Sequence, residues 1–428
     1  MRYGLYRSLF VLFLFAEVLL VTSQRLSYMG QRENGIVLTS IAVLMGLMAI
    51  LAAFEKRRPE PTNPVTARDL WPMRIVLLIG IAMAIFHFNR EISVIPIAPQ
   101  LSDIIPTIQV MNHRLLAGQY PYEVIHEFGY ALSPTYLPLM WLPYFPAAMF
   151  HFDERWVAFT IWLIASLMVI WRAHQSNLSG MARWLITALP FIHFIFIEEG
   201  TSATFGNTVE LMIAGFYMMW AMQMDRIQGL LRDNPWKSGA IMGSFLLLCL
   251  LSRYAFLLWL PLCCLVIWVE NRKLVMTTAV TTLVGVLVLF VIPFMLKDPM
   301  VYIKGLQHYS SAALAAWQQE GQQGPLYDGI GVAGIFRDGI QGDMAIRLAT
   351  LQRWQLVISV LAVGLSGLYW WRNRSKLQSL PLFLLGSLKF YFAFFYGFIQ
   401  MPYIYLMLTP CFFSVAMLPT WYKPVKQN

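Results

Sequence analysis

The chain has 428 residues, of which 58% are hydrophobic and 12% charged, and its mean hydropathy is +0.59. Soluble domains carry about a quarter charged residues, so lipid must be the solvent for most of this chain and a large soluble domain is excluded. The net charge of +9 sits in short clusters between apolar runs. That is the pattern of membrane orientation, and no nucleic-acid partner is expected.

Taking apolar runs of about 16 to 22 residues as spans gives about thirteen. They begin near Leu9, Val37, Met73, Thr135, Trp156, Trp184, Thr208, Ser238, Tyr254, Val275, Trp354, Leu380 and Pro402. The expected fold is an all-α polytopic membrane protein, one integral membrane domain over residues 1–428. Arg2 and Arg7 precede the first run without a small-residue cleavage site, so an uncleaved helix is expected there rather than a signal peptide. Two helices and a basic loop fill residues 1–72, and further helices close the chain over 354–428. Basic residues gather at Lys56, Arg57, Arg58 and Arg68, at Arg226, Arg232 and Lys237, and at Arg372, Arg374 and Lys376. These loops are expected to face the cytoplasm. The two long polar segments, 89–134 and 297–353, then share the outer face.

Strict alternation fails between Thr135 and Gly200, because the basic loop around Arg172 and Arg183 belongs in the cytoplasm while the helix count puts it outside. One span there must be broken, re-entrant or miscounted. Pro134, Pro138, Pro143 and Pro146 single out the run from Thr135 to Phe150, since proline removes a backbone hydrogen bond. Ser252 and Arg253, between short spans, pose a second ambiguity of the same kind. Cys249, Cys263, Cys264 and Cys411 all fall in apolar runs and read as small core residues. No internal repeat is evident, which disfavours a secondary transporter.

Within the first outer loop, Ile104, Ile105, Ile108, Val110, Met111, Leu115 and Leu116 alternate with Gln109, Asn112, His113 and Arg114 at helical spacing. A short amphipathic helix on the membrane surface is expected. Asp103 precedes it. Leu115 through Gly118 with Pro121 and Tyr122 follows, and then Pro134, Tyr136, Pro138 and Leu139. This order resembles the GT-C glycosyltransferases, in particular the polyprenol-phosphate-mannose-dependent mannosyltransferases of glycosyltransferase family 87, over residues 73–300. The family's Gly-Gln-x-Asn has a loose counterpart at Phe205-Gly206-Asn207, which lacks the Gln. Two helices ahead of Met73 exceed the single helix usual before the catalytic loop.

The resemblance implies a GT-C-like bundle of about 12 to 13 helices and makes Asp103 the catalytic base. A carboxylate at the membrane edge suits removal of a proton from an acceptor hydroxyl, worth about 10² to 10⁴ in rate. The competing role for Asp103 is a helix cap. Arg253, in an apolar stretch, reads as a ligand of the carrier phosphate or as a snorkelling helix-end cation. Lys304 and His308, four apart, offer a second phosphate site or a solvated loop face. Glu198, Glu199 and Glu210 are candidates for sugar hydroxyls, Glu210 more than the helix-end pair. His113, Arg114, His126 and Tyr122 stand in the first loop, where polar helix faces carry such residues in any case. No second carboxylate joins Asp103, so no metal is predicted, and no cofactor.

The function expected is transfer of a hexose, mannose by resemblance, from a polyprenyl-phosphate carrier to a glycolipid or polysaccharide acceptor, with inversion. The place is the periplasmic or exterior face of a cell inner (plasma) membrane. A lipid or polysaccharide transporter would spread charges through several mid-membrane helices. A polysaccharide polymerase or ligase would use paired arginines in a large outer loop, for which Arg337 and Arg347 are the candidates.

Overall fold

The computed structural model describes residues 2–22, 31–56, 67–175, 178, 180–195, 208–318, 330–401 and 403–422. Every long element in it is helical, and six helices are long and apolar enough to cross a membrane. Several shorter apolar helices complete the bundle. The chain is therefore an all-helical membrane protein.

In chain order the helices are α1 (Arg2–Thr22), α2 (Gln31–Ala52), α3 (Ala67–Val94), α4 (Ile104–Leu116), α5 (Pro138–Trp141), α6 (Phe145–Phe150), α7 (Arg155–Gln175), α8 (Gly180–Ile195) and α9 (Glu210–Asp225). They continue as α10 (Pro235–Leu250), α11 (Leu260–Glu270), α12 (Arg272–Val286), α13 (Val301–Gln318), α14 (Ala333–Gly339), α15 (Met344–Asn373), α16 (Leu380–Tyr396) and α17 (Leu408–Tyr422). After Val286 the helix widens into a π-helical segment, Leu287–Met295, around Pro293. Proline has no N–H to give to the regular ladder, and a wider turn absorbs the defect.

Contacts at the helix ends fix the direction of the chain. The Arg155 guanidinium at the start of α7 donates to the carbonyls of Ile92 and Ile95 at the end of α3. At the other end of the bundle Arg172, late in α7, pairs with Asp225, the last residue of α9. Tyr3 at the start of α1 donates to the Trp421 carbonyl at the end of α17. Ala53, just after α2, accepts from Gln378 and Ser379 just before α16. One end of the bundle thus carries Asp103 and the other Asp225.

The segment from Thr135 to Phe150 does not cross. It is broken into α5, a 3-10 turn (Leu142–Tyr144) and α6, and His151 in a left-handed conformation (φ 55°) sends the chain into α7 at the Asp103 end. Removing this span restores alternation, as the prolines suggested. The Arg172–Arg183 connection then falls at the Asp225 end with Lys56, Arg226, Arg232, Lys237, Arg372, Arg374 and Lys376. The ambiguity at Ser252–Arg253 resolves as a turn at the Asp103 end. α10 arrives there, a 3-10 turn (Tyr254–Phe256) follows, and α11 returns to Asn271, whose amide donates to the Leu231 carbonyl. Arg57 and Arg58 lie outside the described residues.

Helices in lipid gain nothing from hiding apolar side chains, so close approach through small residues matters more. α2 and α16 meet this way: a Cβ on Gly46 would lie 2.5 Å from the Phe390 backbone, and one on Gly386 2.7 Å from the Ala49 Cβ. α3, α7 and α8 are joined by rings, with Phe88 stacked on Phe159 at 4.6 Å and Trp162 against Phe194 at 4.9 Å. Cys249, Cys263 and Cys411 are buried free thiols and Cys264 is half-buried.

Candidate functional site

α4 is the helix that the periodicity of residues 104–116 predicts. Ile105, Ile108 and Met111 are fully buried, His113 is exposed, and the Asn112 amide donates to the Trp141 carbonyl at 3.2 Å. Asp103 stands in the capping position, yet its side chain makes no capping hydrogen bond. The first amide of α4, Ile104, instead reaches the Ser102 hydroxyl at 3.4 Å. The Asp103 carboxylate accepts from the Tyr130 hydroxyl, 3.0 Å away. Tyr130 rides on a short loop closed by reciprocal Ile125–Leu132 backbone bonds of 2.9 Å and turned at Gly129 (φ 83°), a conformation that favours glycine. Burial, then the charge of Asp103 and the hydrogen bond to it, push the Tyr130 hydroxyl up to about 12. Tyr403 is likewise pushed up to about 12 by burial and by Asp103. Both hydroxyls therefore stay protonated at neutral pH.

Glu210 opens α9 and is fully buried. The positive end of a helix dipole suits a carboxylate in the first turn, and the Glu210 amide is capped by the Thr208 hydroxyl at 2.9 Å. One Glu210 oxygen pairs with the Arg253 guanidinium, and the other accepts from the Thr409 hydroxyl at 3.2 Å. Arg253 sits in the turn between α10 and the 3-10 helix, its side chain 17% exposed. Its Nε is buried and finds no hydrogen-bond partner among the described residues. The neutral pair thus keeps unused guanidinium donors.

Tyrosines join the two centres. The charge of Asp103 acts on Tyr130, Tyr136 and Tyr403; that of Arg253 acts on Tyr254, Tyr309, Tyr396 and Tyr405. The groups meet where Tyr403 stacks on Tyr405, ring centroids 5.2 Å apart. A carboxylate and a cation with spare donors therefore flank one aromatic cluster at one end of the bundle.

Other predicted residues have different occupations. Arg114 donates to the carbonyls of Glu123 and Val124 and pairs with Glu127 at 3.5 Å, so it ties the loop down. The Tyr122 hydroxyl donates to the Tyr136 carbonyl at 2.8 Å and accepts from the Trp141 indole at 3.1 Å, while its ring packs on Phe294. Both roles are architectural. Lys304 lies on α13 beside the site, where Gly305 abuts Pro134 and Thr135, but its ammonium pairs with Asp298 at 2.8 Å. His126 follows Val124 in the tied loop, and its amide donates to Glu127 at 2.8 Å. Arg347 donates to the carbonyls of Gly342 and Arg337, so it caps local structure. The His308 side chain, Glu198, Glu199 and the run Phe205-Gly206-Asn207 lie outside the described residues.

Sequence reasoning passed over two ionic contacts between helices. Glu17 of α1 pairs with Lys389 of α16, and Arg172 of α7 with Asp225 of α9, whose other oxygen accepts from Thr420 at 3.0 Å. Polar groups are thus not confined to the two long loops. Ionisable residues inside apolar spans are themselves a functional signal, and applying to Glu17 and Lys389 the rule that singled out Arg253 would have found them.

The fold and this site define a polytopic all-helical membrane protein with a carboxylate and an arginine at one end. Comparison with family models, with curated proteins and with solved structures returns no match for this chain.

Proposed function

We propose that the chain is a GT-C-type membrane glycosyltransferase that moves a hexose from a polyprenyl-phosphate carrier to a glycolipid or polysaccharide acceptor. The single observation that carries this reading is Asp103: it occupies a capping position without capping, and it faces a tyrosine cluster shared with Arg253. The Leu115–Tyr122 and Pro134–Leu139 patterns around it support the same reading. Asp103 takes the proton of an acceptor hydroxyl as that oxygen attacks the anomeric carbon. The carbon–phosphate oxygen bond breaks with its electron pair on the lipid phosphate. Arg253 holds the charge that develops there, so no acid is needed for departure. One displacement inverts the anomeric centre.

The basic loops at the Asp225 end argue for its placement in the cytoplasm, which puts Asp103 at the outer face of a plasma membrane. Exposed and stacked tyrosines suit a pyranose, whose C–H face packs on aromatic rings. Transfer of labelled sugar from a panel of polyprenyl-phosphate hexoses, in membranes with matched amounts of protein, tests the proposal; no transfer from any donor sinks it.

A second reading, a lipid or glycan transporter, gains support from one observation, the buried Glu17–Lys389 pair across α1 and α16. Transporters place ionisable groups there. Movement of a fluorescent polyprenyl-phosphate sugar across vesicles, without covalent transfer, would select it.

A further inference from the structure

Glu17 and Lys389 are 1% and 0% exposed and take no part in the chemistry proposed above. A buried ion pair is a poor adhesive, because desolvation offsets its attraction and apolar residues of similar size pack as well or better. Its surroundings suggest another use. The Lys389 ammonium also donates to the Pro410 carbonyl at 3.0 Å, in the first turn of α17. The Ser414 hydroxyl donates to the same carbonyl at 2.9 Å. The residue before Pro410 is Thr409, whose hydroxyl holds one oxygen of Glu210, and the other oxygen of Glu210 faces Arg253. A continuous line of contacts therefore runs from α1 through α16 and the start of α17 to the arginine.

We infer that the Glu17–Lys389 pair positions Arg253 for an anionic phosphate: it anchors the start of α17 so that Thr409 keeps one Glu210 oxygen, and Glu210 meets Arg253 through the other alone. Released from Thr409, the Glu210 carboxylate turns both oxygens on the guanidinium in the bidentate arrangement that arginine favours. The donors that a phosphate needs, the buried Nε among them, are then spent inside the protein. The pair and Thr409 are positioning residues. The inference rests on the proposal that Arg253 holds the carrier phosphate.

The experiment measures binding of a polyprenyl monophosphate, with the phosphate-free polyprenol as control, to protein in nanodiscs of zwitterionic lipid, together with the melting temperature. The variants are R253Q, T409V, T409S, E17D and E17Q/K389M. R253Q is expected to remove the preference for the phosphate. T409V and E17Q/K389M should each weaken it about tenfold, the size of one lost hydrogen bond to a charged group, at an unchanged melting temperature. T409S should retain it, and E17D should weaken it less than the double variant does. A purely structural pair would lower the melting temperature and leave the affinity of the folded fraction alone, and that result overturns the inference while R253Q still loses binding. If R253Q binds like the wild type, the phosphate site itself fails and the inference falls with it. Should E17Q/K389M not fold, E17D tests the pair and T409V against T409S tests the link; wild-type affinity in both E17D and T409V overturns the inference.

Discussion

Replacing Asp103 by asparagine separates its two candidate roles. Asparagine is nearly isosteric and still accepts the Tyr130 hydrogen bond, and no capping bond is lost because none exists. The stability cost should therefore be well under about 1 kcal/mol, the size of one net neutral hydrogen bond. What disappears is the proton acceptor, and a positioned base contributes about 10² to 10⁴ in rate, or about 3 to 5 kcal/mol of barrier. The assay is sugar transfer at saturating donor and acceptor, with expression and melting temperature measured in the same preparations. The expected pattern is transfer down by at least about a hundredfold at an unshifted melting temperature, with donor KM changed little because Arg253 is untouched. Transfer within a few-fold of wild type would refute the assignment. A fall in melting temperature with normal transfer would return Asp103 to the role of helix-end residue.

Three further outcomes are expected. With Cys264 replaced by serine, cysteines at the exposed positions Val124 and His151 should react with an impermeant thiol reagent from one face of the membrane, and a cysteine at Lys237 from the other; reaction of His151→Cys from the Lys237 side would mean that 135–150 crosses after all. Gly46→Val should push α2 from α16, since even its Cβ would fall 2.5 Å from the Phe390 backbone, and cost about 1 to 3 kcal/mol by overpacking; unchanged thermal unfolding refutes the close contact. The Asp298 carboxyl is held below its ordinary 3.8 chiefly by the Lys304 hydrogen bond and also by the Met300 amide. A lowered carboxyl value stabilises the fold above the ordinary value, and that contribution is lost as pH falls through the lowered one. Lys304→Met should move the titration, followed at the Met300 amide by NMR, up towards 3.8; an unmoved titration refutes the pairing.

What was legible in the sequence follows from the range of the forces involved. Lipid solvation acts on each residue separately, so composition alone reports a membrane protein, and apolar runs locate its helices without any knowledge of contacts. Proline chemistry is equally local, which is why the broken segment from Thr135 to Phe150 could be suspected. The periodicity of residues 104–116 needed only the single helix α4. Roles fixed by partners were not legible. Tyr122 and Arg114 both stand in the first loop region, and nothing in their spacing shows that one braces Tyr136 and Trp141 while the other ties down Glu123 and Val124.

The same limit explains the site itself. Glu210 and Arg253 were each conspicuous as ionisable residues in apolar surroundings, but that they neutralise one another is a fact of packing between α9 and the turn after α10. For Glu17 and Lys389, 372 positions apart, no local pattern points from one to the other. Each alone is an expensive charge in hydrocarbon, and the expense is the one sign the sequence offers that a partner must exist. Hydropathy therefore shows where charges need partners, and only the packed helices show which partner each finds. Thr409 makes the point most sharply: as a lone threonine beside a proline it carries no sequence signal, yet through Glu210 it stands one contact from Arg253 and one residue from the carbonyl that Lys389 holds.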